Sequence, residues 1–290
     1  MTLEQLRIFV CVAEREHMTR AAEALNLTQS AVSAAIAALE ARHGVHLFHR
    51  VGRGIELTAT GRAFLEEARA VLGRAHSAEQ ALADLAGLDR GTLSLVASQT
   101  IASYWLPAIL ARFSELYPRI TVELGIANSE SAAAQVRSGS VELGFIEGLI
   151  DDPALARWQV GEDELVPVGS APGQESADAE WIRTVPWVLR EPGSGTRSTF
   201  ETALLGMGID PGTLHVAMTL PSNEAVRSAV EAGVGNSVLS TFVVGPALLA
   251  GTLHRLPIEL EPRPFYGLRH KERYRSKAAD TLLGLISGIA

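Results

Sequence analysis

The chain has 290 residues, enough for about two domains of ordinary size. Its 47% hydrophobic and 20% charged residues fit a soluble globular protein with a sizeable core and exclude a disordered or fibrous one. A net charge of −8 excludes nucleic-acid binding through overall basicity, so the position of each charge matters more than the sum.

Residues 3–16 predict a helix with Leu6, Phe9, Val10 and Ala13 on one stripe. Cys11 is the one cysteine, so an internal disulfide is excluded, and within that stripe it reads as a small core residue. Residues 19–26 and 28–42 predict two more helices, parted by a turn at Asn26-Leu27. Thr19 and Thr28 each stand where a hydroxyl can accept from a free first-turn N–H. The run Thr19–Ser33 thus reads as a helix-turn-helix. Its second helix exposes Gln29, Ser30 and Ser33 near its start, the end that enters a major groove.

Gly44 stops the third helix, and His46–Thr58, with glycines at 52 and 54, reads as a two-stranded wing. Residues 1–60 hold six Arg and six Glu, and both lysines, Lys271 and Lys277, lie near the far end. Every basic contact of this neutral head therefore comes from arginine. A long helix is expected over 60–86. Its apolar positions, among them Phe64, Leu65, Ala68, Val71, Leu72, Leu82 and Leu85, come close to a heptad seam and predict pairing with a second copy, with packing on its own domain as the alternative. Gly87–Gly91 reads as a hinge.

Beyond the hinge, strands alternate with helices: strands at 93–97, 120–125, 143–146, 187–190, 214–218 and 237–240, and helices at 101–116, 129–138, 197–206 and 223–232. Such alternation predicts parallel α/β sheets. The length suits two lobes, with Glu162–Gly169 as a first crossing and Pro262-Arg263-Pro264 as the return. No run approaches a membrane span and no signal segment opens the chain, so a cytoplasmic protein without a membrane partner is expected.

Three loops put small polar residues between a strand and a helix start: Ser98-Gln99-Thr100, the stretch Glu191–Arg197 with Ser194, Gly195 and Thr196, and Pro221–Glu224 with Asn223. A helix start offers unpaired N–H groups and the positive end of its dipole, which suit a small anion. In parallel α/β sheets such loops gather at the carboxyl ends of the strands. Arg197 is a candidate bidentate grip on an oxyanion. Glu147, just after a buried strand, is a candidate pocket acid, for a cationic group or a protonated anion; an exposed loop carboxylate is the alternative. The plain alternative for the three loops is that their hydroxyls only cap helices.

No catalytic set appears. Gly193-Ser194-Gly195 is not a nucleophile elbow. His43, His46 and His49 span a turn and a strand, so no metal site and no cofactor are expected. The basic run Arg269–Lys277 reads as a solvated face.

The head resembles that of a LysR-type transcriptional regulator through Leu6, Phe9, Ala21, Ala22, Leu25, Gln29, Ala31, Val32, Ser33, Ile36, Leu39 and Glu40. The likeness continues through Gly44, Leu47, Phe48, Arg50, Arg53, Leu57, Thr58 and Gly61. One departure is Ala34, where the family often has Arg or Lys. The resemblance implies an α plus α/β chain: an N-terminal winged helix-turn-helix (1–59), a dimerising linker helix and hinge (60–90), and a two-lobed effector domain of periplasmic-binding-protein type (91–290). Lobe I would take about 91–162 and 265–290, and lobe II about 163–264. Base readout falls to Gln29, Ser30 and Ser33 at the helix start capped by Thr28, with Thr19, Arg20, Arg50 and Arg53 on phosphates or the minor groove. The expected partners are double-stranded DNA, a small anionic effector between the lobes, and further copies of the chain in a dimer or tetramer. The stretches 189–197 and 222–226 resemble the branch governing sulfite or sulfur metabolism and carbon-fixation genes, with sulfite as the first effector expectation. A carboxylate or phosphorylated metabolite is the alternative effector. A solute-binding protein without a transcriptional role is the alternative function.

Overall fold

The computed structural model describes residues 1–52, 54–85, 91–172 and 177–288, which fall into an N-terminal and a C-terminal compact unit. The N-terminal unit opens with helices α1 (Leu3–Arg15), α2 (Met18–Leu25) and α3 (Gln29–His43). Thr2 and Gln5 cap α1 reciprocally, side chain to backbone in both directions. Glu16, Asn26 and Gly44 end the three helices in left-handed conformation. At the start of α2 the expectation fails: His17, not Thr19, is the N-cap, and its Nδ1 accepts from Arg20 N at 3.4 Å. The helix begins a residue earlier than the apolar period suggests, which moves Thr19 into its first turn. Thr28 does cap α3, accepting from Ala31 N at 3.2 Å.

The wing is an antiparallel pair, β1 (Phe48–Val51) and β2 (Gly54–Leu57). Glu40 on α3 holds it, accepting from Leu47 N at 2.6 Å and Phe48 N at 3.3 Å. Helix α4 (Ala59–Leu85) follows at once. A Cβ on Gly61 would lie 2.1 Å from the Leu47 carbonyl oxygen, so only glycine lets α4 leave the wing this closely. Leu65 and Ala68 are buried in one core with Leu6, Phe9, Val12, Val32 and Ile36, and Phe64 and Leu72 pack on it. The expected seam is therefore divided. Its first half belongs to the head's own core, while Val71, Leu82 and Leu85 remain exposed. The stretch expected as a hinge, Gly87–Arg90, lies outside the described residues.

The C-terminal unit carries β3 (Gly91–Ser98), a π-turn (Ile101–Trp105) running into α5 (Leu106–Leu116), β4 (Ile120–Ala127), α6 (Ser129–Ser138), β5 (Leu143–Glu147), β6 (Leu155–Asp163) and β7 (Leu165–Gly169). Next come α7 (Ala179–Thr184), β8 (Trp187–Arg190), α8 (Gly195–Gly206), a 3-10 turn (Pro211–Thr213), β9 (Val216–Leu220), α9 (Asn223–Glu231) and β10 (Ser237–Ser240). The last elements are α10 (Thr241–Ala250), β11 (His254–Arg255), β12 (Arg263–His270) and α11 (Lys277–Ser287). A five-stranded sheet in the order β4-β3-β5-β12-β6 forms lobe I. Lobe II has a three-stranded sheet, β10-β7-β11, and the parallel pair β8-β9.

The five-stranded sheet is mixed and the three-stranded one antiparallel, which corrects the parallel expectation there, while the β8–β9 pair is parallel. β12 runs antiparallel to both β5 and β6, and β10 and β11 run antiparallel to β7. The cause is the two crossings. The chain passes from β6 through Glu164 straight into β7 and returns into β12 with no helix between, so the returning strand reverses its sense. The run expected as a solvated face is exposed at Lys271, Glu272, Tyr274, Arg275 and Lys277, and departs from that at its first residues. Arg269 and His270 close β12, with the Arg269 guanidinium 5.4 Å from the Trp158 ring centre, and Lys277 opens α11 behind the Ser276 cap.

Candidate interlobe site and DNA-facing surface

On the head, a 460 Å³ hollow is lined by Thr19, Gln29, Ser33 and Arg50 together with His17 and Glu16. Four of the residues expected to meet DNA thus share one surface. Arg20, Thr28 and Ser30 are exposed but do not line the hollow, and Arg53 lies outside the described residues. Gln29 Nε2 donates to Ser33 Oγ at 2.9 Å, and the Thr28 and Ser30 hydroxyls are 3.0 Å apart. The polar groups of this helix start therefore hold one another in the free protein. Glu16 sets a carboxylate among them that opposes a phosphate.

In the C-terminal unit the three expected loops do come together across the lobes. Ser98 ends β3 and Thr100 follows it, both buried. Asn223 at the start of α9 reaches them: its Nδ2 donates to Thr100 Oγ1 at 3.1 Å, and its N–H donates to Gln99 Oε1 at 2.8 Å. Gln99 Nε2 donates in turn to Glu224 at 2.6 Å, and Tyr104 OH donates to the same carboxylate at 3.0 Å. Burial and that carboxylate raise the Tyr104 phenol above its ordinary range. Helix capping accounts for only one of the loop hydroxyls. Ser222 caps α9, accepting from Ala225 N at 3.1 Å, whereas Ser194 and Thr100 make no side-chain cap.

The start of α8 is pressed against β5. A Cβ on Gly195 would stand 2.5 Å from the Glu147 carbonyl oxygen and 2.6 Å from Ser129 Oγ. Glu147 is the last residue of β5 and is buried, so the exposed-loop alternative is excluded. Ser129 Oγ donates to the Glu147 carbonyl at 2.9 Å and lies 3.3 Å from Oε2. Arg197, expected to grip an anion, is held instead by its own helix and strand. Its Nε donates to Glu201 at 2.7 Å and its Nη1 to the Arg190 carbonyl at 3.2 Å. A glutamate four residues on lies on the same face of the helix, so the pair forms within α8.

Sequence reasoning passed over the arginines that the site uses. Arg263, the first residue of β12, is fully buried; it is ion-paired with Asp163 and donates to Thr196 Oγ1 at 3.0 Å. Its Nη2 also lies 3.8 Å from Glu147 Oε1. Asp163 accepts from Ser240 Oγ at 3.0 Å. Burial raises the Asp163 carboxyl above the ordinary carboxylate value, while the Arg263 guanidinium and the Ser240 hydroxyl pull it back. Arg190 is buried too, pairing with Glu191 at 2.8 Å and donating to Asn223 Oδ1. A usable signal existed. Asp163 and Arg263 sit at the two crossings that the strand pattern located, and a charge there, between apolar strands, has to find a partner.

A 270 Å³ hollow opens beside Glu147, lined also by Ser129, Glu130, Pro192, Arg197 and Glu201. A larger groove of 1060 Å³ runs along α8 and the 255–264 segment, walled mainly by apolar groups such as Leu165, Ile258, Leu260 and Pro262. Among the described residues, no group of three His, Cys, Asp or Glu is placed to hold a metal ion, and no helix is long and apolar enough to cross a membrane.

Comparison with known proteins agrees with this architecture. Residues 3–62 match the bacterial regulatory helix-turn-helix model of the lysR family, and residues 86–288 match the LysR substrate binding domain. The chain is 37% identical over 289 residues to the HTH-type transcriptional regulator YeiE of Escherichia coli (strain K12), covering 98% of this chain and 96% of that one. It is 33% identical over 288 residues to a probable RuBisCO transcriptional regulator of Trichormus variabilis, covering 96% and 86%. Among solved structures, the LysR family regulator CbnR shares the fold with a TM-score of 0.67 at 23% identity, covering 99% of each chain. With a helix-turn-helix head and a substrate-binding unit both matched, the chain belongs to the LysR family of DNA-binding transcriptional regulators, which are not enzymes.

Proposed function

We propose that this regulator answers to a small anion, with sulfite as the first choice, bound between lobes I and II of its C-terminal unit. The observation that carries the reading is a pair of buried hydrogen bonds, Asn223 to Thr100 Oγ1 and Arg263 to Thr196 Oγ1, that link the two lobes, with Ser98 buried two residues before Thr100. Thr196 stands in the first turn of α8 and Asn223 in that of α9, where the helix dipole favours negative charge. The lobes are tied by the same side chains that a ligand would contact. Binding therefore favours one lobe arrangement over another, which is the condition for a ligand to shift an equilibrium. The domain scheme 1–59, 60–90 and 91–290 goes with this reading.

At the head, Gln29, Ser30 and Ser33 read bases at the start of α3, while Thr19, Arg20, Thr28, Arg50 and Arg53 serve phosphates or the minor groove. One neutral head grips DNA weakly, because affinity rests on phosphate neutralisation. Copies joined through α4, where Leu82 and Leu85 are exposed, make the grip bivalent, and a tetramer extends it. The cytoplasm is where such a protein works.

Calorimetric titration of the full chain with sulfite tests the effector site. Binding is expected in the wild type and lost in Ser98→Ala and Thr196→Ala, with operator binding retained. Unchanged affinity in both variants would remove this pocket.

A further inference from the structure

We propose that Glu147 makes the interlobe site select a small oxyanion that carries an acidic proton and reject oxyanions that are fully ionised. This rests on the reading of the interlobe site as the effector site. Three buried polar atoms without a hydrogen-bond partner lie on three consecutive strands of the lobe I sheet: Ser98 Oγ at the end of β3, Glu147 Oε1 at the end of β5, and Arg263 Nε at the start of β12. Buried polar groups are rarely left unpaired, so these atoms mark what an occupant supplies. Their chemistry is not uniform. A guanidinium N–H only donates, a hydroxyl does both, and a carboxylate only accepts. An occupant beside Arg263 and Glu147, whose Nη2 and Oε1 are 3.8 Å apart, must offer an oxygen lone pair to the first and a hydrogen to the second, while the Ser98 hydroxyl at the same sheet edge suits either sense.

The charges point the same way. Arg263 faces two carboxylates, Asp163 in direct contact and Glu147 Oε1 at 3.8 Å, so one buried cation already serves two anions. The other charged groups around Glu147 add no positive surplus. Glu130 on α6 and Glu201 on α8 line the hollow beside it, and Arg197 is held by Glu201. Arg190, further along, is matched by Glu191. A fully ionised oxyanion placed here sets a bare oxygen against the Glu147 carboxylate in a poorly solvated site, which is costly. An oxyanion that keeps one proton donates it to Oε1 instead. The tight approach of Gly195 to Glu147 and Ser129 keeps that occupant small.

The test titrates the full chain with sulfite and phosphite, whose last acidic proton leaves near neutrality, and with sulfate and nitrate, which carry none. For the wild type we expect binding of sulfite or phosphite, with Kd rising about tenfold per pH unit above the ligand's own pKa, and no competition by sulfate or nitrate. Glu147→Gln keeps the size of the side chain but gains an amide donor. It should flatten the pH profile and admit sulfate. Binding abolished by Ser98→Ala and Thr196→Ala, but with a flat pH profile or equal sulfate affinity in the wild type, would overturn the role of Glu147 and leave the site standing. Binding untouched by Ser98→Ala, Thr196→Ala and Glu147→Gln would overturn the site, as would failure of all four anions to bind. Should Glu147→Gln fail to fold, the wild-type pH profile and the sulfate competition still decide the matter.

Discussion

The two units place their polar chemistry in opposite ways. In the head the core is apolar, built on Phe9, Val12, Ala21 and Val32, and the groups proposed to meet DNA are on the surface. In the C-terminal unit the key groups are interior: Arg263, Asp163, Thr100 and Asn223 are as buried as the leucines around them. The head's functional residues come from one short stretch with a strand pair beside it. The interlobe site joins residues as far apart in sequence as Gln99 and Glu224. A surface meant for a rigid duplex can be displayed by local structure. A site that must enclose a small ion and sense it has to be walled on all sides, which takes contributions from distant strands.

This contrast can be broken most directly at Arg263. Arg263→Met strands the Asp163 carboxylate without its cation, and is expected to cost about 3–5 kcal/mol. Denaturant unfolding of the C-terminal unit should show it, and much of the loss should return in Arg263→Met with Asp163→Leu. A single-variant cost near zero would mean that the pair is not structural. The matching change in the head is Gly61→Ala, where the new methyl meets the Leu47 carbonyl oxygen. It should cost roughly 1–3 kcal/mol, seen as an earlier melting of the head alone. Joint melting of both units at a lower temperature would show that they are not independent in stability.

A smaller effect is expected at the cap of α3. Thr28→Ala removes the acceptor for Ala31 N and should cost about 1 kcal/mol in head stability. Thr19→Ala, by contrast, should be nearly neutral to folding, since His17 holds the cap of α2. An equal loss in both would restore Thr19 as a cap. The subtlest change is Gln29→Ala. It should weaken specific operator binding by the worth of a base contact, about 1–3 kcal/mol, and leave bulk DNA binding nearly untouched in competitive gel shifts. Equal loss on both kinds of DNA would count against a base contact.

Much of the molecule was legible in the sequence, though unevenly. Helices α1, α3, α6 and α9, the wing and strand β10 announce themselves through caps, glycines and apolar period. Helix α10 did not, because Thr241–Ala250 is apolar nearly all round and holds Pro246, so no amphipathic stripe marks it. Strand β12 was hidden for another reason. Its partners β5 and β6 precede it by about a hundred residues, and Pro262 before it and Pro264 within it read as a loop. Arg197 looked like the anion grip because it stands beside the glycines, yet Glu201, four residues on, claims it.

Local rules fixed what is local: a helix cap, a glycine stop and an apolar stripe act within a turn or two, so the sequence alone determined the helices and wing of the head, the strands and helices with a clear apolar period, and the three polar loops. Only the tertiary structure decided which cation faces those loops. The choice of Arg263 over Arg197, and of a buried Glu147 over an exposed one, depends on strands that meet after crossing between lobes. Burial removes the water that would otherwise satisfy each charge. A charged side chain in that interior therefore takes whichever partner the fold brings near, whatever its distance along the chain.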